Sequence, residues 1–152
     1  MTLFDECIEA LKKEGKVVVL SEIESKGIEK AFEETVPIHP TVAKVDFSKM
    51  LRKREIVVDE DILEELYKNH VDVNEPVYVF WDNIAYPTLK TSIKNVINAI
   101  ADVISVSFDT WIFCPKERYI VEYYHEGETF LGFINHVAVW NDGGSPGVVD
   151  LR

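Results

Sequence analysis

The side chains able to do chemistry in this sequence are two cysteines, Cys7 and Cys114, four histidines and a large excess of carboxylates, 27 acidic residues against 16 basic ones. A thiol becomes a nucleophile when a base lies within hydrogen-bond reach, and His125 or His136 can supply one for Cys114, since all three fall in the second half of the chain. No small-residue elbow surrounds Cys114, however, and cysteine is among the most often buried residue types, so the blander reading is a small core hydrophobe at a strand end. Cys7 lies on the apolar stripe of a helix, although the start of a helix can lower a thiol pKa. His39, His70, His125 and His136 have neither the one-turn nor the CxxC-type spacing of a zinc site and read as surface or loop histidines. Asp82, Asp109 and Glu122 can converge as a hydrolytic set. Asp82 is the strongest of them because it follows a central strand, where α/β folds place their ligands.

Phosphate chemistry finds no support. There is no GxGxxG and no phosphate loop, and the glycines between Gly143 and Gly147 precede no helix. The cationic cluster Lys49, Arg52, Lys53 and Arg54 lacks interleaved aromatics and lies between acidic segments. It reads as a solvated loop or an intramolecular partner for the acidic helices. No cofactor, metal or nucleic acid is expected.

The elements that must position these groups follow from periodicity. Leu3, Cys7, Ile8 and Leu11 recur at helical spacing, with Thr2 as N-cap and Gly15 as the stop. Val17 to Leu20 is a β-branched run that reads as a central strand covered on both faces. Ser21 or Ser25 caps a second helix with Ile28, Ala31 and Phe32 inward, ending before Pro37. Ile38 to Val58 reads as irregular with one short strand. Asp59 is the expected cap of a helix whose apolar stripe is Ile62, Leu63, Leu66 and Tyr67. Val77 to Trp81 is a second continuously apolar strand. A helix capped by Thr88 is expected to turn Ile93, Val96, Ile97, Ile100 and Ala101 inward. From Phe108 onward, three extended runs ending near Cys114, Tyr124 and Ile134 predict an antiparallel meander. The expected fold is therefore α/β (α+β): one domain over residues 1–152 with a mixed central sheet, helices packed on it and a C-terminal antiparallel meander, 141–152 being a flexible tail.

The chain has 152 residues, 47% of them hydrophobic, which is ample for a core, and a formal net charge of -11. Such a field speeds encounter with a cationic partner and repels nucleic acid. Two surfaces can carry it. Glu60, Asp61, Glu64 and Glu65 lie opposite the apolar stripe of the helix after Asp59 and form an anionic face. Glu122, Tyr124, Glu126 and Glu128 combine carboxylates with an amphipathic aromatic in the meander, and Asp82 adds a further acid. The N-terminal segment lacks the basic start and apolar stretch of a secretory signal, and the apolar run from Val96 to Val106 is too short and too interrupted to span a bilayer. Two widely spaced cysteines fit reduced thiols, so the expected location is the cytoplasm.

The opening Leu3-Phe4-Asp5-Glu6-Cys7-Ile8-Glu9-Ala10-Leu11 and the later Val77-Tyr78-Val79-Phe80-Trp81-Asp82 resemble immunity proteins of bacterial contact-dependent growth inhibition and related polymorphic toxin systems. The resemblance implies a small cytoplasmic antidote that binds a toxin's C-terminal domain, a basic nuclease being the partner that best suits an acidic inhibitor. It carries over no residue-level functional motif. The rival readings are a small hydrolase or transferase using Cys114 or Asp82, and an acidic regulatory adaptor.

Overall fold

Thr2 begins the first helix as its sequence predicts: its Oγ1 accepts the Asp5 N–H at 3.1 Å, and the Asp5 carboxylate accepts the Thr2 N–H at 3.1 Å. This reciprocal cap starts α1 (Leu3–Glu14), and Gly15 ends it. The structure, a computed structural model, describes residues 1–134 together with the backbone of the strands Ala138–Trp140 and Pro146–Val148. After β1 (Val18–Val19) a second reciprocal cap, Ser21 with Glu24, opens α2 (Glu22–Thr35). An irregular stretch with a 3₁₀ turn (Phe47–Lys49) leads to β2 (Lys53–Glu55) and α3 (Asp61–Lys68). Then follow β3 (Val77–Trp81), β4 (Leu89–Thr91), α4 (Ile93–Asn98) and α5 (Ile100–Ile104). The meander β5 (Thr110–Cys114), β6 (Tyr119–Tyr123) and β7 (Thr129–Phe133) closes the domain core, and β8 (Ala138–Trp140) pairs with β9 (Pro146–Val148).

Seven strands form one sheet in the order β1-β4-β3-β5-β6-β7-β2. The α+β class and the C-terminal meander are those expected, while the sheet expected to be mixed is antiparallel at every pairing. Alternation divides its side chains between two covered faces. On one face Val79, Trp81, Ile112, Val121 and Leu131 meet Cys7 and Leu11 of α1, Ile62 and Leu66 of α3, and Ile93 and Val96 of α4. On the other, Phe80, Trp111, Phe113 and Ile120 meet Phe32 of α2 and the chain between Val36 and Met50. The second face is aromatic: Phe32 packs edge-on against Phe80 at 5.1 Å and Phe113 at 5.7 Å between ring centroids, and Phe80 stacks on Trp111 at 5.9 Å. Such pairs add about 0.5–1.5 kcal/mol each beyond burial.

Several expectations are corrected. The Val17–Leu20 run is an edge strand, not a central one, and Val18 and Val19 are 38% and 46% exposed, because β-branched residues favour strands wherever these lie in a sheet. Residues 89–91 form β4 rather than the start of a helix; Leu89 and Thr91 are buried with Lys90 between them, a period of two. Ser92, not Thr88, caps the helix that follows, and Ala99 divides it in two, leaving Ala101 exposed. Asp59 caps nothing; its carboxylate accepts the Tyr123 hydroxyl at 2.6 Å, and α3 starts without a side-chain cap. Tyr67, expected inward, is 53% exposed. Ser25 is buried, its Oγ accepting the Thr88 N–H at 3.0 Å. The expected tail 141–152 lies outside the described residues except for β9.

One glycine makes the second face possible. A Cβ on Gly132 of β7 would overlap Met50 Sδ and come within 2.8 Å of the Phe47 ring. Gly27, by contrast, sits in α2 with open space around it. Chemical denaturation should therefore show Gly132→Ala losing about 1–3 kcal/mol through overpacking, and Gly27→Ala gaining about 0.5–1 kcal/mol through helix propensity.

Candidate functional site

Strand register collects the polar residues of interest at one end of the sheet. Trp81 pairs with Thr110, Thr110 with Tyr123, Tyr123 with Thr129 and Glu55 with Phe130, so β3, β6 and β2 finish where β5 and β7 begin. Asp82, just past β3, accepts the Asp109 N–H at 3.0 Å. Asp109, only 6% exposed, accepts the His125 backbone N–H at 2.7 Å, and His125 Nδ1 lies 2.9 Å from the same oxygen. A carboxylate only accepts, so Nδ1 carries the proton. The His125 ring lies 4.3 Å from that of Tyr124 and 6.4 Å, edge-on, from that of Phe108, which is 79% exposed.

Lys44 reaches across from the irregular segment. Its Nζ donates to Glu128 Oε2 at 2.7 Å and sits 4.6 Å above the Tyr124 ring. The Glu128 hydrogen bond holds its pKa above the usual lysine value. Thus Tyr124, Glu126 and Glu128, grouped in the sequence, stand together here, and Asp82 is linked to them through Asp109 and His125. Glu126 and Glu128 line the same shallow depression as Lys44 and Tyr124.

Glu122 does not share this surface. It is 2% exposed and faces the aromatic layer, where its Oε2 accepts the Val45 N–H and the Trp111 Nε1–H, each at 2.8 Å. Burial raises its pKa, against the lowering effect of these donors. The expectation that Glu122 meets a partner is thereby corrected: the segment ending at Met50 covers the face on which it stands. Asp82, Asp109 and Glu122 accordingly do not form a hydrolytic set, since the first two are engaged with each other and with His125 while the third is enclosed.

The acidic helix is partly neutralised from within. Arg54 on the neighbouring β2 contacts Asp61 at 3.3 Å, Glu64 at 3.4 Å and Glu65 at 3.2 Å, and Lys68 adds a contact to Glu64 at 3.1 Å. Lys68 first, and then Arg54, keeps the Glu64 carboxyl below its ordinary pKa. Glu60 is exposed and takes no part in this network. The cationic cluster therefore includes the intramolecular partner expected of it.

Neither thiol suits catalysis. Cys114 and Cys7 are both 0% exposed, and burial pushes their pKa values to about 11 and about 12. Cys114 closes the far end of β5, four residues from Thr110. That is roughly 13 Å of strand at about 3.3 Å per residue, so His125 is out of reach; His136 lies outside the described residues. Among the described residues no group of three His, Cys, Asp or Glu side chains is placed to hold a metal ion, and no helix is long and apolar enough to cross a membrane.

The sequence reading missed Lys44, Phe108 and Ile84. Lys44 carries no local signal, its partner being 84 residues away. Ile84, 90% exposed in the loop after β3, and Phe108 are large apolar side chains left on the surface beside acids.

Comparison with known protein families identifies the class as that of immunity proteins, which neutralise a toxin. Residues 1–132 match the family described as CdiI immunity protein EcoliA0-like, and the chain belongs to that family. The match spans both segments that carry the resemblance, Leu3 to Leu11 and Val77 to Asp82. No curated protein matches the sequence.

The buried carboxylate sets a pH dependence. Its folded-state pKa is raised above the ordinary 4.5, so its contribution to stability is fully present below pH 4.5 and is lost as pH rises through the folded value. Glu122→Gln removes this ionisation, and the melting temperature of the variant relative to the parent should climb as pH is raised from about 4.5. Glu122→Ala strands both donors and should cost roughly 2–4 kcal/mol at neutral pH.

Proposed function

We propose that this chain acts in the cytoplasm as a stoichiometric inhibitor, covering the basic substrate-binding surface of a nuclease toxin with the sheet end formed by Asp82, Tyr124, Glu126 and Glu128. The observation that carries the reading is the distribution of unspent charge. At the sheet end Asp82 and Glu126 have no cationic partner among the described residues, whereas Arg54 already engages three acids of α3. The sheet end is therefore the first candidate surface, and the α3 face of Glu60, Asp61, Glu64 and Glu65 its extension. Uncompensated acids raise the rate of encounter with a basic protein, and an amphipathic ring such as Tyr124, half-buried between Lys44 and His125, supplies the fixed contact that slows dissociation.

The test is co-purification with the toxin domain encoded immediately upstream, followed by association kinetics at two salt concentrations. Replacing Glu60, Glu126 and Asp82 by Gln, Gln and Asn should slow association several-fold at low salt and flatten its salt dependence. Tyr124→Ala should instead raise the dissociation rate, at a cost of about 1–4 kcal/mol. Unchanged rates in both variants would remove this surface from the interface. Conversion of a small compound by the free protein would overturn the inhibitor reading itself.

A further inference from the structure

Where the aromatic layer of the second face reaches the same end of the sheet, it opens to solvent in a cleft of about 230 Å³. Phe32, Phe80 and Trp111 form its floor, Ile38 and Ala43 one wall, and the exposed Ile84 stands at its mouth. The polar groups on its rim are Glu29 and Glu33 of α2, and Lys44.

The other α2 carboxylates are occupied: Glu22 pairs with Lys26 at 3.2 Å, Glu34 with Lys30 at 3.9 Å, and Glu24 closes the helix cap. Glu29 and Glu33 alone on this helix have no hydrogen bond or ion pair among the described residues. They stand at i and i+4, where like charges repel, so a cation between them relieves a cost that the free protein carries. Lys44 does not fill that role, because its ammonium is committed to Glu128 and the Tyr124 ring.

An apolar floor with two uncompensated carboxylates at its lip matches one side chain better than any other. Arginine lays an apolar stem and a weakly hydrated, planar head against aromatic rings and offers several donors to carboxylates. A purely aliphatic anchor would leave both acids partly desolvated and unpaired, at a cost.

We infer that the cleft between α2 and the end of β3 receives an arginine side chain of the toxin, its guanidinium between Glu29 and Glu33. The inference rests on the reading that this chain binds a toxin, and it adds a contact separate from the Tyr124 surface.

Isothermal titration and dissociation kinetics with the toxin domain encoded immediately upstream test it. Glu29→Gln with Glu33→Gln, and independently Ala43→Phe, which fills the cleft, should each weaken binding by about 10-fold or more through faster dissociation. A charge-matched control, Glu6→Gln with Glu14→Gln on α1, should alter only the association rate. Melting temperatures check that each variant is folded; should Ala43→Phe fail to fold, the charge pair decides alone. If the parent binds and the folded cleft variants bind within two-fold of it, the cleft inference is overturned and the inhibitor reading stands. If the parent does not bind, the inhibitor reading fails and takes the inference with it.

Discussion

A single buried carboxylate organises the aromatic side of the sheet. Glu122 projects from β6 into the aromatic layer and there takes the Val45 N–H and the Trp111 indole N–H on one oxygen. The first of these bonds ties the irregular segment to the sheet, and the second joins the neighbouring strands β5 and β6 beneath it. Ala43 and Lys44 come immediately before Val45, so the wall of the cleft and the ammonium over Tyr124 both depend on this anchor. A hydrophobic residue at 122 would leave both donors without an acceptor in a dry site, and bonds left unmade there are costly.

The two faces of the sheet divide the labour. The first, covered by α1, α3, α4 and α5, is mainly aliphatic, and Trp81 adds one directional tie, its indole N–H donating to Val103 O at 3.0 Å. The second is covered by one helix and a segment with little regular structure, and it compensates with interlocked rings and the close approach that Gly132 permits. The surface with unspent charge adjoins this second face, where side-chain bonds rather than helical regularity hold the covering in place.

How much of this was legible depends on the range of the signal. The first helix, β3 and the meander follow from caps and periodicities contained within a dozen residues, and they formed where expected. The edge position of β1 was invisible, because a run of valines encodes extended backbone and not its neighbours in a sheet. Residues 88–91 were misread because the helical apolar pattern that truly begins at Ile93 was extended backwards across a short alternating strand. At the site, Tyr124, Glu126 and Glu128 were legible as polar residues around a turn. Glu122 was not, since alternation in β6 turns it toward a face that only a distant segment covers, and nothing local announces such a cover. The Lys44–Glu128 contact escaped for the same reason, being set by chain closure over 84 residues. The Arg54 contacts to Glu64 and Glu65, by contrast, span only 10 and 11 residues, and the cationic cluster was legible as a partner for the acidic helix.

The two outer strands carry a further implication. The sheet ends on one side with a strand of two residues and on the other with Lys-Arg-Glu, edges that offer an incoming strand little ladder to extend. What such a sheet presents instead are side chains at strand ends and on helix faces. Those positions can be exchanged singly while the backbone pairing beneath stays intact, so the exterior can change without the scaffold being rebuilt.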